Sequence, residues 1–182
     1  MHYITELDFT ILHGIAQHLH TPLGDAIMPL ISRLANGGFI WFVVALVLLF
    51  CKKYRRYVPY YLATMALCFL VGEGVIKHLV ARPRPFRVES IALLIREPGG
   101  YSFPSGHSMT SFGAAVFLCH MKKSVGIAFL VLAGLIAFSR LYLMVHFPSD
   151  VLVGSMLGVG IGLLVSEIDR HMLRKKRGNC DV

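Results

Sequence analysis

The sequence is poor in charge, and especially poor in acidic residues. Only 15% of its 182 residues are charged, 55% are hydrophobic, and 10 acidic residues stand against 18 lysines and arginines. Soluble domains are typically about 25% charged and about 45–50% apolar. These proportions, with a mean hydropathy of +0.65, exclude an ordinary soluble domain. They indicate a membrane protein, and the length indicates one domain.

Cysteine is also scarce, and its spacing excludes two further classes of protein. The four cysteines are Cys51, Cys68, Cys119 and Cys180. No two of them have the C-x-x-C spacing of a zinc or redox site, and no disulfide framework is indicated. Three lie in or beside apolar segments, where a free cysteine packs as a small hydrophobic residue. We therefore expect packing roles for them.

Long apolar segments, in contrast, make up most of the chain. They run at about 38–51, 57–81, 105–121, 124–143 and 148–170. Several are shorter than the about 20 residues that a straight transmembrane helix needs. We predict an all-α, polytopic membrane helix bundle with five or six transmembrane helices. The sixth depends on whether the N-terminal helices form a broken span.

The apolar pattern divides the chain into three parts. Residues 1–35 are predicted to form amphipathic or short helices, 36–177 the transmembrane core, and 178–182 a cytoplasmic tail. The start of the sequence has no basic region followed by a small-residue cleavage site, so we expect no cleavable signal peptide. Small residues recur at Gly154, Gly158 and Gly162, which predicts close helix contact within the chain or with a second copy.

Basic residues between the apolar segments predict the topology. Lysines and arginines cluster at 52–56, 122–123 and 170–177, and such clusters favour the cytoplasmic side. The 82–104 loop and the 144–148 turn are then outside. Four arginines in that loop conflict with the rule, and an anion-binding site there would explain them. Inverted topology is the alternative, but it would put three basic regions outside.

Three short clusters of polar residues lie at the predicted outer ends of these segments. They are Lys77 with Arg84 and Pro85, the Pro104-Ser105-Gly106-His107 run, and Ser139-Arg140 with His146 and Asp150. Lysine and arginine donors suit phosphate oxygens, and free N–H groups at a helix N-terminus bind anions. Each cluster alone also has a structural explanation, such as an interfacial lysine or a helix cap.

Three ionisable residues in or near these clusters have two explanations each. Asp150, four residues after His146, would accept a hydrogen bond from one imidazole nitrogen and leave the other free to attack. Alternatively, the negative charge of Asp150 is simply favoured by the helix dipole at the N-terminus of the last helix. Glu73 is a functional candidate as an intramembrane carboxylate, or an i,i+4 ion-pair partner of Lys77. Arg82 would contact a second phosphate or be solvated.

Taken together, the three clusters resemble the motifs of the type 2 phosphatidic acid phosphatase superfamily, firmly over residues 57–170. The resemblance implies that His146 is a nucleophile forming a phosphohistidine, that Asp150 orients it, and that His107 is the general acid. It implies a phosphate-binding set with no metal and no cofactor, to which we add Glu73 and Arg82 as possible supporting residues. That set is Lys77, Arg84, Ser105, the Gly106 backbone and Arg140.

The resemblance also suggests a substrate. Compact bacterial members have a similar Tyr-Ser-Phe-Pro-Ser-Gly-His stretch, which favours undecaprenyl pyrophosphate, hydrolysed at the outer face of the cytoplasmic membrane to recycle a cell-wall lipid carrier. The runner-up is a phosphatidate or phosphatidylglycerophosphate phosphatase. A vanadate-dependent haloperoxidase lacks support from any evident halide pocket, and the intact His107, His146 and Asp150 argue against a non-catalytic lipid-binding or transport protein. The expected partners are the lipid substrate and the bilayer, with no nucleic acid, as monomer or homodimer.

Overall fold

The computed structural model describes residues 2–178, and the side chains of residues 5–175. Helices are the main secondary structure of the described residues, which contain no strands, and this confirms the predicted all-α class. Residues 179–182 of the predicted tail lie outside it. The α-helices, in chain order, are α1 His2–Leu19, α2 Pro22–Leu34, α3 Phe39–Phe50, α4 Val58–Phe69, α5 Lys77–Val80, α6 Pro85–Val88, α7 Gly106–Met121, α8 Lys123–Tyr142 and α9 Pro148–Gly178.

Helix length limits the number of membrane spans. In the described part of the chain, Arg55–Val88, Lys123–Tyr142 and Pro148–Lys175 are long and apolar enough to cross a membrane. A fourth span results if Pro22–Leu34 and Asn36–Phe50, which meet at a 49° bend, act as one. Helix α7 has 16 residues, fewer than the about 20 of a straight span. The predicted count of five or six is therefore not confirmed.

A π-helical turn joins α4 to α5. The turn covers Leu70–Ile76 and continues directly into Lys77–Val80. The helix ends at Ala81, whose φ of 48° lies in the left-handed region that stops helical hydrogen bonding. Single π turns inside α-helices are frequent at functional sites. Here the turn carries Glu73, and the final turn carries Lys77, at one end of the bundle.

Helices α7 and α9 pack backbone to backbone. A β-carbon at Gly154, Gly158 or Gly162 would collide with a backbone carbonyl of α7 or of its N-cap residue. Only glycine permits this approach, and the predicted small-residue contact is therefore made within the chain. The contact fixes the first turn of α9 beside the first turn of α7.

The central hydrophobic core joins four helices. Trp41, Tyr61, Phe117 and Ile136, from α3, α4, α7 and α8, are each at most 1% exposed. The indole N–H of Trp41 donates to Ser111 Oγ at 3.2 Å, which satisfies its buried donor. This core holds α7 in the middle of the bundle, with apolar side chains around it.

The two ends of the bundle differ in chemistry. At one end, His120 of α7 pairs with Asp169 of α9 at 2.7 Å, and its ring contacts Tyr57 just before α4. The last turn of α7 therefore lies beside the start of α4 and the second half of α9. The opposite end is where α5 finishes and α7 and α9 begin. That end carries the three predicted clusters.

Candidate active site

The structure brings the three clusters together at this end. Ser105 N donates to the Asp150 carbonyl oxygen at 3.1 Å, which ties the second cluster to the third. Arg84 Nη1 lies 3.2 Å from His146 Nε2, which ties the first cluster to the third. Residues separated by more than 60 positions in the chain thus form one polar site in a largely apolar bundle.

His146 sits in the loop between α8 and α9 and is 1% exposed. Its Nε2 faces Arg84 Nη1, and a guanidinium donates hydrogen bonds but cannot accept them. Nε2 must therefore be the acceptor, so the ring proton of the neutral imidazole lies on Nδ1. This tautomer leaves a lone pair on Nε2, as a nucleophilic histidine requires.

Ser102 connects His146 to Asp150. The carboxylate Oδ2 of Asp150 lies 3.7 Å from His146 Nδ1, too far for the predicted direct hydrogen bond, which the structure does not contain. Ser102 Oγ lies 3.4 Å from Nδ1 and donates to Asp150 Oδ2 at 2.5 Å. The hydroxyl therefore accepts a hydrogen bond from the imidazole Nδ1–H and donates one to the carboxylate, so it bridges the two side chains.

The surroundings of His146 favour its neutral form. Burial, followed by the charges of Arg84, Arg140 and Lys77, lowers the pKa of His146 well below its usual value of about 6.5. The three cations of the predicted phosphate-binding set therefore all act on this ring. A neutral imidazole beside three cations is suited to attack an anionic phosphorus centre.

Asp150 is anchored from three sides. Besides Ser102, its carboxylate accepts from the backbone N–H of Phe147 at 2.9 Å and from Arg82 Nη1 at 2.8 Å. The N–H of Phe147 belongs to the residue after His146, so this bond also fixes the loop that carries His146. Asp150 is fully buried. Its position is set by hydrogen bonds rather than by the helix dipole alone.

Arg82 supports the site from behind, through residues of α1 and α9. Its Nη2 donates to Asp8 Oδ2 at 2.7 Å, its Nη1 also donates to Ser149 Oγ at 2.7 Å, and its guanidinium stacks on Phe147. The side chain is 16% exposed and bonded within the protein rather than solvated, and its contact with a second phosphate stays a prediction. Its contact with Asp150 agrees with the supporting role.

Arg84 and Arg140 are held differently. Arg84 is 3% exposed and donates to the carbonyl oxygens of Val145, Gly99 and Gly100 at 2.8–3.3 Å. Arg140 is 2% exposed and its Nη1 donates to Ser32 Oγ of α2. Its buried Nε has no hydrogen-bond partner among the described residues. A buried unpaired donor is costly, and an anion at this position would satisfy it.

Lys77 and Glu73 form the ion pair that their spacing predicts. Lys77 Nζ lies 2.5 Å from Glu73 Oε1, and the lysine is buried while the glutamate side chain is 36% exposed. Gly106 packs against the same carboxylate, because a β-carbon there would collide with Glu73 Oε1. The glycine therefore makes room for Glu73 at the start of α7.

The start of α7 carries the two remaining predicted residues. Ser105 is its N-cap, and its hydroxyl accepts from Ser108 N and Ser108 Oγ at 3.4 and 2.9 Å. His107 follows in the first turn, and its Nε2 lies 2.9 Å from Asn36 Oδ1. All ten predicted site residues thus lie in one region, although Ser105 has a capping role there.

Two adjoining cavities open beside His107. The first, about 230 Å³, is lined by Glu73, Gly106 and His107 on one side and by Gly37 and Gly38 on the other. The second, about 560 Å³, shares Gly37 and Gly38 and continues between α3 and α4. Its walls are almost entirely apolar, among them Phe42, Leu62 and Phe69. A polar recess thus leads into an apolar groove.

Sequence reasoning missed four residues of the site. Among them, only Ser102 lies in a predicted motif, the Tyr-Ser-Phe-Pro-Ser-Gly-His stretch, two residues before Pro104. Its position beside the second cluster could have marked it as a site residue, and the structure shows that it is buried. The other three are in the N-terminal region and show their role only after folding. They are Asp8, Ser32 and Asn36. Within the described residues, no group of three or more His, Cys, Asp or Glu could hold a metal ion.

Comparison with known proteins identifies the family. Residues 57–171 match the model of the PAP2 superfamily. An undecaprenyl-diphosphatase of Sulfolobus acidocaldarius is 35% identical over 133 residues, which are 72% of this chain and 64% of that protein. Undecaprenyl-diphosphatase BcrC of Bacillus subtilis is 27% identical over 156 residues, 86% of this chain and 79% of its own.

The fold extends the likeness to nearly the whole chain. The crystal structure of the first transmembrane PAP2-type phosphatidylglycerolphosphate phosphatase, from Bacillus subtilis, superimposes with a TM-score of 0.81 at 26% identity, covering 94% of this chain and 88% of that one. The family match covers more than half of the sequence, and the resemblance predicted from the three clusters is confirmed. The chain therefore belongs to the PAP2 superfamily.

Proposed function

We propose that this protein is an integral membrane phosphatase that removes a phosphoryl group from a lipid phosphate or pyrophosphate through a phosphohistidine at His146. The observation that carries the proposal is the acceptor Nε2 of His146 beside the donor Arg84. It supplies a neutral nucleophile where phosphate-binding cations converge. Positioning and charge stabilisation account for most of the catalysis in phosphoryl transfer, and the site offers both.

In the first step, the lone pair of His146 Nε2 attacks phosphorus, and the bond from phosphorus to the leaving oxygen breaks. The electron pair goes to that oxygen, which receives a proton from His107. The imidazole gains positive charge as it is phosphorylated. Its Nδ1–H, bonded through Ser102 to Asp150, stabilises that charge.

In the second step, water attacks phosphorus and the phosphorus–nitrogen bond breaks. His107, now neutral, takes a proton from the water, and the electron pair returns to His146 Nε2. Inorganic phosphate leaves. Lys77, Arg84 and Arg140 neutralise the phosphoryl oxygens in both transition states. No step requires a metal ion, and we propose that the reaction proceeds in the presence of EDTA.

A lipid substrate is supported by the two cavities. The polar recess beside His107 adjoins the apolar groove between α3 and α4. Phe42 and Phe69, which line the groove, are 55% and 62% exposed, as suits a surface that faces acyl or prenyl chains. A phosphate bound by the cations would therefore leave its hydrocarbon tail in the groove.

We propose that the bundle crosses the membrane five times, with the bent α2–α3 pair and the short central α7 as two of the crossings. Basic residues at 52–56, 122–123 and 170–177 favour the cytoplasm for the end of the bundle near His120. The active site is then at the outer face of the cytoplasmic membrane. Two of the four arginines that conflict with the rule, Arg82 and Arg84, are engaged in the site.

Undecaprenyl pyrophosphate is the first choice of substrate, because the two relatives named above are undecaprenyl-diphosphatases. The structural likeness to a phosphatidylglycerolphosphate phosphatase supports the second choice. For a pyrophosphate substrate, the terminal phosphoryl group is transferred and the lipid monophosphate leaves.

A substrate panel tests the proposal. Detergent-purified protein is assayed in EDTA with undecaprenyl pyrophosphate, phosphatidylglycerophosphate and phosphatidate, and the values of kcat/KM are compared, with His146→Ala as the control. We expect turnover by the wild type alone, and the highest kcat/KM with undecaprenyl pyrophosphate. A wide preference for a glycerophospholipid would contradict the substrate choice. Equal release by His146→Ala would contradict the mechanism.

A further inference from the structure

We propose that Asn36 is a positioning residue for catalysis, which holds the transferable proton of His107 toward the leaving group. The inference rests on the proposed function, since it presumes that His107 is the general acid. Asn36 lies outside residues 57–171, the part that matches the family model. In the sequence it marks only the end of a helix before two glycines.

The local backbone fixes where Asn36 points. It begins a short turn, Asn36–Gly38, between α2 and α3, in which Gly37 and Gly38 have φ values of 58° and 76°. Glycine adopts these left-handed conformations without steric cost, and they interrupt the helix between α2 and α3. Ala35, just before it, is 5% exposed and packed in the core. Asn36 is therefore held at a fixed bend that faces the first turn of α7.

The contact itself defines a proton position. Asn36 Oδ1 lies 2.9 Å from His107 Nε2, and an amide oxygen only accepts hydrogen bonds. The proton of this bond is therefore on Nε2. The residues on either side of Asn36, together with His107, line the polar recess. The Nε2–H group is thus held at the wall of the space where the leaving oxygen would lie.

The hydrogen bond between Asn36 and His107 prepares the proton transfer to the leaving oxygen. Phosphate bound by the cations brings negative charge that favours the imidazolium form of His107. As the bond from phosphorus to the leaving oxygen breaks, that oxygen replaces Asn36 Oδ1 as acceptor, and the Nε2 proton moves to it. His107 becomes neutral and recovers the proton from the attacking water. Asn36 thus orients the ring beforehand without itself reacting.

Leaving-group dependence separates this role from a structural one. A good leaving group needs no proton, whereas a poor one does, so loss of general-acid positioning slows only the poor one. The probes are p-nitrophenyl phosphate and phenyl phosphate, and the readout is kcat/KM, which reports steps up to the formation of the phosphohistidine. The variants are Asn36→Ala and Asn36→Asp, with His107→Ala as the reference. The control is Thr10→Ala, whose hydroxyl donates to Glu6 O within α1, away from the site.

We expect Asn36→Ala to lose roughly three- to tenfold in kcat/KM with phenyl phosphate, the value of one hydrogen bond, and less than about twofold with p-nitrophenyl phosphate. Asn36→Asp, which keeps the acceptor, should retain the wild-type pattern. Equal losses with both probes, or no loss with either, would overturn the role of Asn36. If His107→Ala shows no leaving-group dependence, or the wild type hydrolyses neither probe nor any lipid of the panel, the proposed function itself fails and this inference fails with it.

Discussion

Arg84 Nη1 lies 3.2 Å from His146 Nε2, so the nitrogen that would attack phosphorus is hydrogen bonded to a cation before substrate binds. The contact fixes the tautomer and opposes protonation of the ring. Burial has the larger effect on the pKa of His146 and acts in the same direction. A phosphate group would give Arg84 a stronger acceptor and release the Nε2 lone pair.

The pH dependence of His146 tests this relationship. Because burial and the neighbouring cations lower the pKa of His146 well below about 6.5, the ring should be neutral at pH 6.5 and gain a proton only in more acidic solution. NMR titration of protein with ¹⁵N-labelled histidine measures this, with His146→Gln to assign the signal. Arg84→Gln should raise the pKa, since one of the charges that lower it is removed. A wild-type pKa at or above 6.5 would contradict the account.

Ser102→Ala should slow the reaction without weakening substrate binding. The hydroxyl links Nδ1 to Asp150, and its loss leaves 3.7 Å between those groups. A hydrogen bond to a charged group contributes about 1.5–3 kcal/mol, so kcat should fall roughly tenfold to a hundredfold while KM changes little. Steady-state kinetics measure both constants. Ser155→Ala on α9, whose hydroxyl donates to Val151 O within the same helix, is the control. An unchanged kcat in Ser102→Ala would show that Ser102 does not link His146 to Asp150.

Arg140→Ala should remove a phosphate donor. The buried Nε of Arg140 has no partner among the described residues, and it lies where the other cations converge on His146. Loss of one preorganised donor to transition-state charge typically costs about 10²–10³ in kcat. Ser32→Ala, which removes only the group that holds Arg140, should have a smaller effect. Steady-state kinetics measure kcat for both variants. A larger loss of kcat in Ser32→Ala than in Arg140→Ala would contradict the assignment of Arg140 as a phosphate donor.

Close packing of α7 on α9 predicts a difference between two neighbouring glycines. A β-carbon at Gly158 collides with the carbonyl of Met109, whereas one at Gly160 meets nothing within 4 Å. Gly158→Ala should destabilise the protein by about 1–3 kcal/mol through overpacking, and Gly160→Ala should not. Thermal unfolding in detergent compares them. Equal Tm values for the two variants would show that the helices separate at this contact.

The sequence predicts which residues come together at the site better than it predicts their contacts. Motif spacing predicts that His146, Arg84 and Asp150 share one site, because each is a reactive residue type at the end of an apolar segment, and the structure places the three residues together. It predicts a direct bond between His146 and Asp150, since four residues suit one helical turn. His146, however, lies in the loop before α9, which leaves room for Ser102.

The fold shows a similar division. Hydropathy predicts an all-helical membrane bundle, because the apolar segments are long and the charges lie between them. It does not predict the span count, since α7 is short and α2 and α3 meet at a bend. The roles of Asp8 and Asn36 depend on contacts with residues more than 70 positions away, such as Arg82 and His107. Local patterns carry no information about such contacts.

Trapping of the covalent intermediate is the most stringent test of a phosphohistidine at His146. Protein is mixed with ³²P-labelled undecaprenyl pyrophosphate or phosphatidate in EDTA and quenched in alkali, where phosphohistidine survives, and the labelled peptide is mapped by mass spectrometry. We predict that the wild type carries the label on His146, that acid treatment releases this label, and that His146→Gln carries none. Label on any other residue, or turnover by His146→Gln, would contradict the account.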